Sequence, residues 1–196
     1  MKTVSIIGEA RASTGKRNTK DLRNKNHVPC VLYGGSENIH FSALERAFKP
    51  ILTTPDLVVA QIEVEGKTYQ AILKDSQFDP IKDKPLHLDF QELVPGHAVN
   101  TELPIRLTGM AIGVKAGGRL LQKVRKVLVK AMPDSLVSEI VVGVEHLDVG
   151  KSIRVRDIQI PGVQILNSPA LPVASVEITR AIRSAQAAAA ATSGKK

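Results

Sequence analysis

The most informative part of this chain is a basic loop that runs into an apolar strand, Arg11-Ala12-Ser13-Thr14-Gly15-Lys16-Arg17-Asn18-Thr19-Lys20-Asp21-Leu22-Arg23 continuing to Val28-Pro29-Cys30-Val31-Leu32-Tyr33-Gly34-Gly35. Between Arg11 and Arg23 there are five cations and one acid, Asp21. A basic loop held by a β framework is a common way to bind a phosphate backbone. A solvated cationic surface loop is the competing interpretation, and composition alone does not separate the two.

The charge of the chain is unevenly distributed. Its 196 residues are enough for one large or two small domains. Residues 1–95 carry 13 Lys and Arg against 12 Asp and Glu, whereas residues 96–196 carry 14 against 7. Seven of the cations of the first half lie in residues 1–30, with two acids. Such concentrated charge indicates a binding surface more strongly than a uniformly high pI does.

Cysteine content and hydropathy exclude several classes of protein. Cys30 is the single cysteine, so the chain has no internal disulfide and no zinc site built on cysteines. Its apolar neighbours predict a buried, inert thiol. No apolar stretch approaches the ~20 residues that span a membrane, and the N-terminus lacks the apolar segment of a signal peptide. We therefore expect a soluble cytoplasmic protein with no membrane partner.

Short apolar runs separated by turn residues predict a mainly β protein with small helices. The predicted strands are 3–7, 28–33, 39–41, 57–65, 68–74, 86–90, 103–108, 120–132, 139–144, 152–160 and 174–179. A tight turn at Gly66-Lys67 is expected to join the fourth strand to the fifth.

Two helices are predicted in the first half. One spans residues 19–26, with Asn18 or Thr19 as its N-cap. The other spans residues 43–49, where Ser42 and Glu45 have the spacing of a capping box and Pro50 is expected to end the helix.

Pro95 and Gly96 indicate a domain boundary. The sequence predicts a first domain at 1–94, a second β-rich domain at 95–181 and a flexible Ala-rich tail at 182–196.

His87 and Asp89 are the residues that most resemble a reactive pair. Strict alternation over residues 86–90 places Leu88 and Phe90 on the core face and directs His87 and Asp89 outward together. The chain lacks the glycine-flanked nucleophile that a hydrolase would place beside such a pair, and its histidines have no metal-ligand spacing. Both side chains can instead bond base edges or 2′-hydroxyls in an RNA minor groove. We expect no enzyme activity, metal or cofactor, and plain surface polarity is the alternative.

A second basic stretch follows Gly117-Gly118. Its cations are Lys115, Arg119, Lys123, Arg125 and Lys126, with Lys130 beyond them, and no acid occurs between residues 103 and 133. No Walker A or dinucleotide motif accompanies them. A second nucleic-acid surface and a charged strand edge that resists aggregation explain this stretch equally well.

These motifs are where a family resemblance appears. The order and spacing of five pieces match one family, namely Arg11 with Gly15-Lys16, Leu22-Arg23, Pro29-x-Val31-x-Tyr33-Gly34, His87-Leu88-Asp89-Phe90 and Gly113-Val114-Lys115-Ala116-Gly117-Gly118. The chain resembles the long form of the bacterial large-subunit ribosomal protein that binds 5S ribosomal RNA, the general stress protein CTC family.

The resemblance implies a fold, a partner and a set of contacts. The fold is an N-terminal six-stranded β-barrel followed by a β-rich domain, and the partner is 5S rRNA, bound through its backbone and minor groove. The implied RNA-binding residues, together with the cations of the basic loop, are Arg11, Lys16, Arg17, Lys20, Arg23, Tyr33, Lys74, Gln77, His87 and Asp89. The chain departs from its relatives at Asp21 and at Phe78-Asp79, so no contact is carried over to those places.

Our leading interpretation is a structural constituent of the large ribosomal subunit, monomeric when off the ribosome. The alternative is a stress-response interaction protein that the barrel tethers to the ribosome. In both interpretations the second domain can contact neighbouring ribosomal proteins or other protein partners.

Overall fold

The computed structural model describes residues 1–179, and the predicted tail at 182–196 lies outside the described residues. The chain forms two compact units. The first comprises Met1–Thr101 and Lys130–Ser138, and the second comprises Glu102–Val129 and the described residues from Glu139 onward. The predicted fold class, a six-stranded barrel with a further β-rich region, is confirmed. The domain boundaries at 94 and 181 stay predictions.

The barrel is closed by its first strand. Its elements are β1 (Thr3–Ala10), α1 (Lys16–Asn24), β2 (His27–Tyr33), β3 (Ile39–Leu44), α2 (Glu45–Leu52), β4 (Val59–Val64), β5 (Lys67–Phe78) and β6 (Pro85–Glu92). The strand order is β1-β3-β2-β6-β5-β4. Strand β1 pairs in parallel with β4 from Thr3 to Gly8 and then antiparallel with β3 through Glu9 and Ala10. Because β1 is shared in this way, the sheet has no free edge.

Three phenylalanines fill the barrel interior. Phe41, Phe48 and Phe90 have no exposed surface. The ring of Phe90 lies 6.0 Å from that of Phe41 and 5.9 Å from that of Phe48, in tilted arrangements that aromatic pairs favour. A Cβ at Gly8 would lie 2.6 Å from the Phe41 ring, so β1 can pass this close only because residue 8 is glycine.

The capping box predicted at Ser42 is wrong. Ser42 lies inside β3, buried and opposite Pro29, and α2 begins at Glu45 after Leu44. Burial of β3 side chains in the core outweighs the local capping pattern. Pro50 does not end the helix, which continues to Leu52 because Phe48 and Ile51 are buried against the barrel. The proline removes one helical hydrogen bond without stopping the helix.

The start of α1 and the β4–β5 turn also differ from prediction. Gly15 is the N-cap of α1 and gives no side-chain cap, whereas Thr19 lies in the first turn and donates its hydroxyl to the Gly15 carbonyl at 3.0 Å. The turn is formed by Glu65 and Gly66, both at positive φ, rather than by Gly66 and Lys67. Two consecutive residues at positive φ are typical of the type I′ hairpin.

From Val99 onward the chain forms short strands. The elements are β7 (Val99–Thr108), α3 (Ile112–Lys115), β8 (Arg119–Gln122), β9 (Lys126–Ala131), a 3₁₀ turn at Pro133–Ser135, β10 (Ile140–Gly143), β11 (Ser152–Arg154), a 3₁₀ turn at Val155–Asp157, β12 (Val163–Ile165) and β13 (Pro172–Glu177). One sheet has the order β10-β7-β9-β12 and the other β11-β13-β8. The single strands predicted at 120–132 and 152–160 are therefore wrong. The first divides into β8 and β9, which join different sheets, and the second stops at Arg154.

Removing the central ring of the barrel tests this packing. We expect Phe90→Ala to lower the free energy of unfolding by about 3–5 kcal/mol, because it leaves a cavity between Phe41 and Phe48. The matched control is Ile7→Ala, at a side chain that is 78% exposed, which should change stability by less than about 0.5 kcal/mol. Urea denaturation followed by circular dichroism measures both, and equal losses would contradict the packing.

The loop between β5 and β6 gives a prediction for acid pH. Asp79 Oδ1 accepts hydrogen bonds from the amides of Ile81 at 2.9 Å and Lys82 at 3.1 Å, and these bonds lower the pKa of Asp79 below its usual 3.8. The carboxylate therefore stabilises the loop above pH 3.8, and this contribution is lost as the pH falls through the lowered pKa. In an NMR titration, the two amides should shift with a midpoint below 3.8, and Asp79→Asn should abolish that shift. A midpoint at or above 3.8 would refute this role.

Candidate nucleic-acid interface

Helix α1 carries free cations beside the barrel. Lys16, Arg17 and Lys20 are all exposed, and α1 buries no side chain. Lys16 and Lys20 are four residues apart and so lie on one side of the helix. None of the three forms an ion pair within residues 1–179. Their charges are therefore available to an anionic partner.

Arg11 holds the basic loop in place. Its guanidinium is half-buried and Nη2 donates to Thr19 Oγ1 at 3.1 Å, while its backbone amide donates to the carbonyl of His40 at 2.9 Å. The Nε atom is buried and has no hydrogen-bond partner in the described part of the chain. These contacts join the end of β1 to the first turn of α1.

The neighbouring thiol has the predicted inert state. Cys30 is fully buried, and burial raises the pKa of its thiol far above the usual value, although the positive charge of Arg11 acts in the opposite direction. The thiol therefore stays protonated at neutral pH, and it offers no nucleophile.

Arg23 connects α1 to β6. Its Nε and Nη2 atoms donate to the carbonyl oxygen of Leu86 at 3.1 and 2.8 Å. This contact fixes the helix next to the residue that precedes His87. Nη1 makes no hydrogen bond within residues 1–179, so one edge of the guanidinium is left for another acceptor.

His87 and Asp89 lie together on the outer face of β6, as the alternation predicts. Both side chains are partly exposed, and His87 Nδ1 lies 2.6 Å from Asp89 Oδ1. A hydrogen bond at Nδ1 fixes the orientation of the ring and leaves Nε2 facing away from the carboxylate. The pair thus presents ordered donors and acceptors at the surface.

The strands on either side of β6 add polar groups to this face. On β5, Gln77 lies opposite His87 and Asp75 lies opposite Asp89. On β2, Tyr33 lies opposite Gln91. Burial raises the pKa of the Tyr33 phenol, and the charges of Asp89 and Asp75 add to this effect. The hydroxyl therefore remains a hydrogen-bond donor over the neutral pH range.

Asp75 was not among the residues predicted from the sequence. The predicted strand ended at residue 74, whereas β5 continues to Phe78 through an irregularity between Leu73 and Asp75. The polar residues Asp75 and Gln77 are two apart, which is the period of one strand face. That spacing was the signal that could have identified Asp75.

Lys74 lies at the irregularity of β5. Its ammonium donates to the carbonyl oxygen of Asn100 at 2.6 Å. This contact occupies the side chain within the first unit, so Lys74 is less available to a ligand than Lys16 or Lys20.

The five cations of the second basic stretch are distributed over several elements. Lys115 ends α3, Arg119 begins β8, Lys126 begins β9, and Lys123 and Arg125 lie between β8 and β9. Two of them have acidic neighbours from distant parts of the sequence. Arg119 pairs in register with Glu177, and Lys126 Nζ lies 3.8 Å from Glu102.

The surroundings of the His87–Asp89 pair and the distribution of metal-ligating side chains were the two features that could indicate catalysis or metal binding in residues 1–179. Across the strands, His87 and Asp89 face Gln77, Asp75 and Val31, none of which is a nucleophile for acyl transfer. Residues 1–179 contain no group of three or more His, Cys, Asp or Glu side chains that could hold a metal ion. Over the same residues, none of the helices is long and apolar enough to cross a membrane.

Comparison with known proteins identifies relatives for both halves of the chain. Residues 6–90 match the Ribosomal L25p family, and residues 98–180 match the C-terminal domain of ribosomal protein TL5. Three similar proteins, each named large ribosomal subunit protein bL25, come from Amoebophilus asiaticus, Cytophaga hutchinsonii and Bacteroides fragilis.

Their similarity extends over nearly the full length. The first is 42% identical and covers 100% of both chains. The second is 40% identical over 97% of this chain and 99% of the relative, and the third is 39% identical over 96% and 99%. These relatives are named as ribosomal proteins, a structural and non-enzymatic class. With both domain profiles matched in order, the chain belongs to the bL25 family of large ribosomal subunit proteins.

Proposed function

We propose that this protein binds 5S rRNA within the large ribosomal subunit, through phosphate contacts from α1 and groove contacts from the outer face of β2, β6 and β5. The observation that carries the proposal is the ordered His87–Asp89 pair, which lies on β6 where Arg23 attaches α1 to the same strand. This arrangement places fixed hydrogen-bonding groups next to free cations. It is the combination that a folded RNA requires, since phosphate contacts position a protein and base contacts specify the site.

Each set of residues has a distinct role in this proposal. Lys16, Arg17 and Lys20 neutralise phosphates, while Arg11 and Arg23 hold the loop and helix and direct their remaining N–H groups at the RNA. The carboxylates of Asp89 and Asp75 would repel a polyanion unless they accept hydrogen bonds. Guanine amino groups and 2′-hydroxyls are such donors, and both lie in the minor groove of RNA. The carboxylates therefore lower the overall affinity for RNA but increase the selectivity for an RNA that places such donors against them.

The aromatic residues support binding of folded rather than single-stranded RNA. Three of the four phenylalanines are in the barrel core, and Tyr33 and Tyr69 are partly buried. Binding of single strands usually needs exposed rings on which successive bases stack. The outer face of β2, β6 and β5 offers polar side chains and the edge of Tyr33 instead, which suit contacts to a groove.

The second candidate is a protein-interaction role for the second unit. Met110 and Ile112 are 61% and 54% exposed there, next to Lys115. Exposed apolar side chains of this size favour a protein partner over RNA at that place. In that case the cations between residues 115 and 126 would contribute little to RNA affinity, and the triple variant Arg119→Ala, Lys123→Ala, Arg125→Ala would keep the 5S rRNA affinity of the wild type.

The proposal predicts specific recognition by His87 and Asp89. The full chain should bind 5S rRNA at least about a thousandfold more tightly than a hairpin RNA of similar length. His87→Ala and Asp89→Asn should each cost about 1–3 kcal/mol of 5S rRNA binding and little of hairpin binding. His97→Ala, at an exposed histidine in the loop after β6, is the matched control and should have no effect. Filter binding across a salt series measures these affinities, and equal affinity for both RNAs would refute the proposal.

A different signature is expected for the phosphate contacts. Lys16→Ala should lower the slope of log K against log salt by about one unit and leave the preference for 5S rRNA unchanged, because a phosphate contact carries no sequence information. Lys67→Ala, at the exposed start of β5, serves as the control with the same loss of charge. A slope that Lys16→Ala leaves at the wild-type value would show that Lys16 does not contact phosphate.

A further inference from the structure

An open groove of about 820 Å³ lies at one end of the barrel, next to α2. Its apolar lining is formed by Leu44, Leu52, Phe78 and Pro85. Leu44 is 39% exposed and Phe78 is 41% exposed, whereas the other three phenylalanines are fully buried. A large aromatic ring left open beside an exposed leucine marks a surface that a partner can cover.

The rim of the groove is positively charged. Lys25, Arg46 and Lys49 line it, and none of them forms an ion pair within residues 1–179. Two acids also line the groove: Glu45 lies 3.8 Å from the ammonium of Lys84, and Asp83 forms no ion pair within residues 1–179, so three unpaired cations face one unpaired carboxylate. The groove thus combines an apolar floor with unpaired cations.

This surface is separate from the proposed RNA interface. None of the residues assigned to RNA contacts is among the described residues that line the groove. Between β5 and β6, Phe78 lies opposite Pro85, and the neighbouring pair is Gln77 opposite His87. The two surfaces are neighbours on one hairpin, and either can be occupied without residues of the other.

We propose that the groove binds an acidic segment of another protein, which places an apolar side chain against Leu44 and Phe78 and carboxylates on Lys25, Arg46 and Lys49. The inference goes beyond RNA binding and does not depend on it. Apolar contact supplies most of the affinity in such a site, and charge complementarity supplies selectivity.

Other occupants fit the chemistry less well. Every charged side chain in residues 180–196 is cationic, so the rim would repel the chain's own C-terminal segment. A second copy would present the same positive rim. RNA would satisfy the cations, but Leu44, Leu52 and Pro85 offer no planar surface for a base, and Phe78 is a single ring. An acidic peptide with apolar residues can place its apolar side chains against Leu44 and Phe78 and its carboxylates against the cations of the rim.

The test uses the ¹⁵N-labelled full chain and a synthetic dodecapeptide of alternating glutamate and leucine. Titration followed by NMR should shift the amides of Leu44, Arg46, Lys49 and Phe78. The double variant Arg46→Glu, Lys49→Glu should weaken binding at least about tenfold. The control is Lys2→Glu, Lys67→Glu, which makes the same change of net charge at exposed sites outside the groove lining and should bind as the wild type does.

Two further comparisons keep the test decisive. Phe78→Ser removes the exposed ring without altering charge and should also weaken binding about tenfold. The result therefore does not depend only on the double variant Arg46→Glu, Lys49→Glu. A peptide of alternating lysine and leucine should not bind. The proposal is overturned if no groove amide shifts, if both double variants lose affinity equally, or if oligouridylate produces the groove shifts in place of the acidic peptide.

Discussion

The alternation of side chains along β6 is the constraint on which the rest of the barrel depends. Leu88 and Phe90 are fully buried, and Phe90 contacts the rings of Phe41 and Phe48. Strand β6 is paired on both edges, with β2 and with β5. A slip of one residue would expose the ring of Phe90 and bury the polar side chains of His87 and Asp89, so the register is strongly determined. The outward position of His87 and Asp89 is therefore a consequence of core packing.

The basic residues of the loop and α1 fall into two groups, those that make hydrogen bonds within the protein and those that remain exposed. Arg11 and Arg23 use part of their guanidinium groups to attach the loop and α1 to Thr19 and to Leu86. These contacts compensate for a helix that buries no side chain and has no side-chain cap. Lys16 and Lys20 make no such contacts and remain exposed. The backbone that carries these lysines is thus held beside β6, and less ordering of the chain is needed when a ligand binds.

The sequence predicts those features that follow from local periodicity, and it misses those that depend on distant residues. The strict alternation at residues 86–90 and the apolar run of β2 are sufficient to predict the strands and the orientation of His87 and Asp89. Ser42 and Glu45 have the spacing of a capping box, but the core requires β3 to continue past Ser42, and no local pattern encodes that requirement. Likewise, the ion-pair partner of Lys126 is Glu102, and the residue opposite Arg119 in the strand ladder is Glu177, and only the tertiary structure brings these acids near. The sequence does not predict the position of Asp75 on this face, because β5 extends to Phe78 beyond the irregularity between Leu73 and Asp75.

The most direct test of this interpretation is lysine and histidine footprinting of the full chain with and without 5S rRNA. Acetylation of lysines and carbethoxylation of histidines, quantified by mass spectrometry, report which side chains the RNA covers. The interpretation predicts strong protection of Lys16, Lys20 and His87, with Lys67 unchanged. Protection confined to Lys115, Lys123 and Lys126, with Lys16 and His87 as reactive as in the free protein, would contradict it and would place the RNA on the second unit.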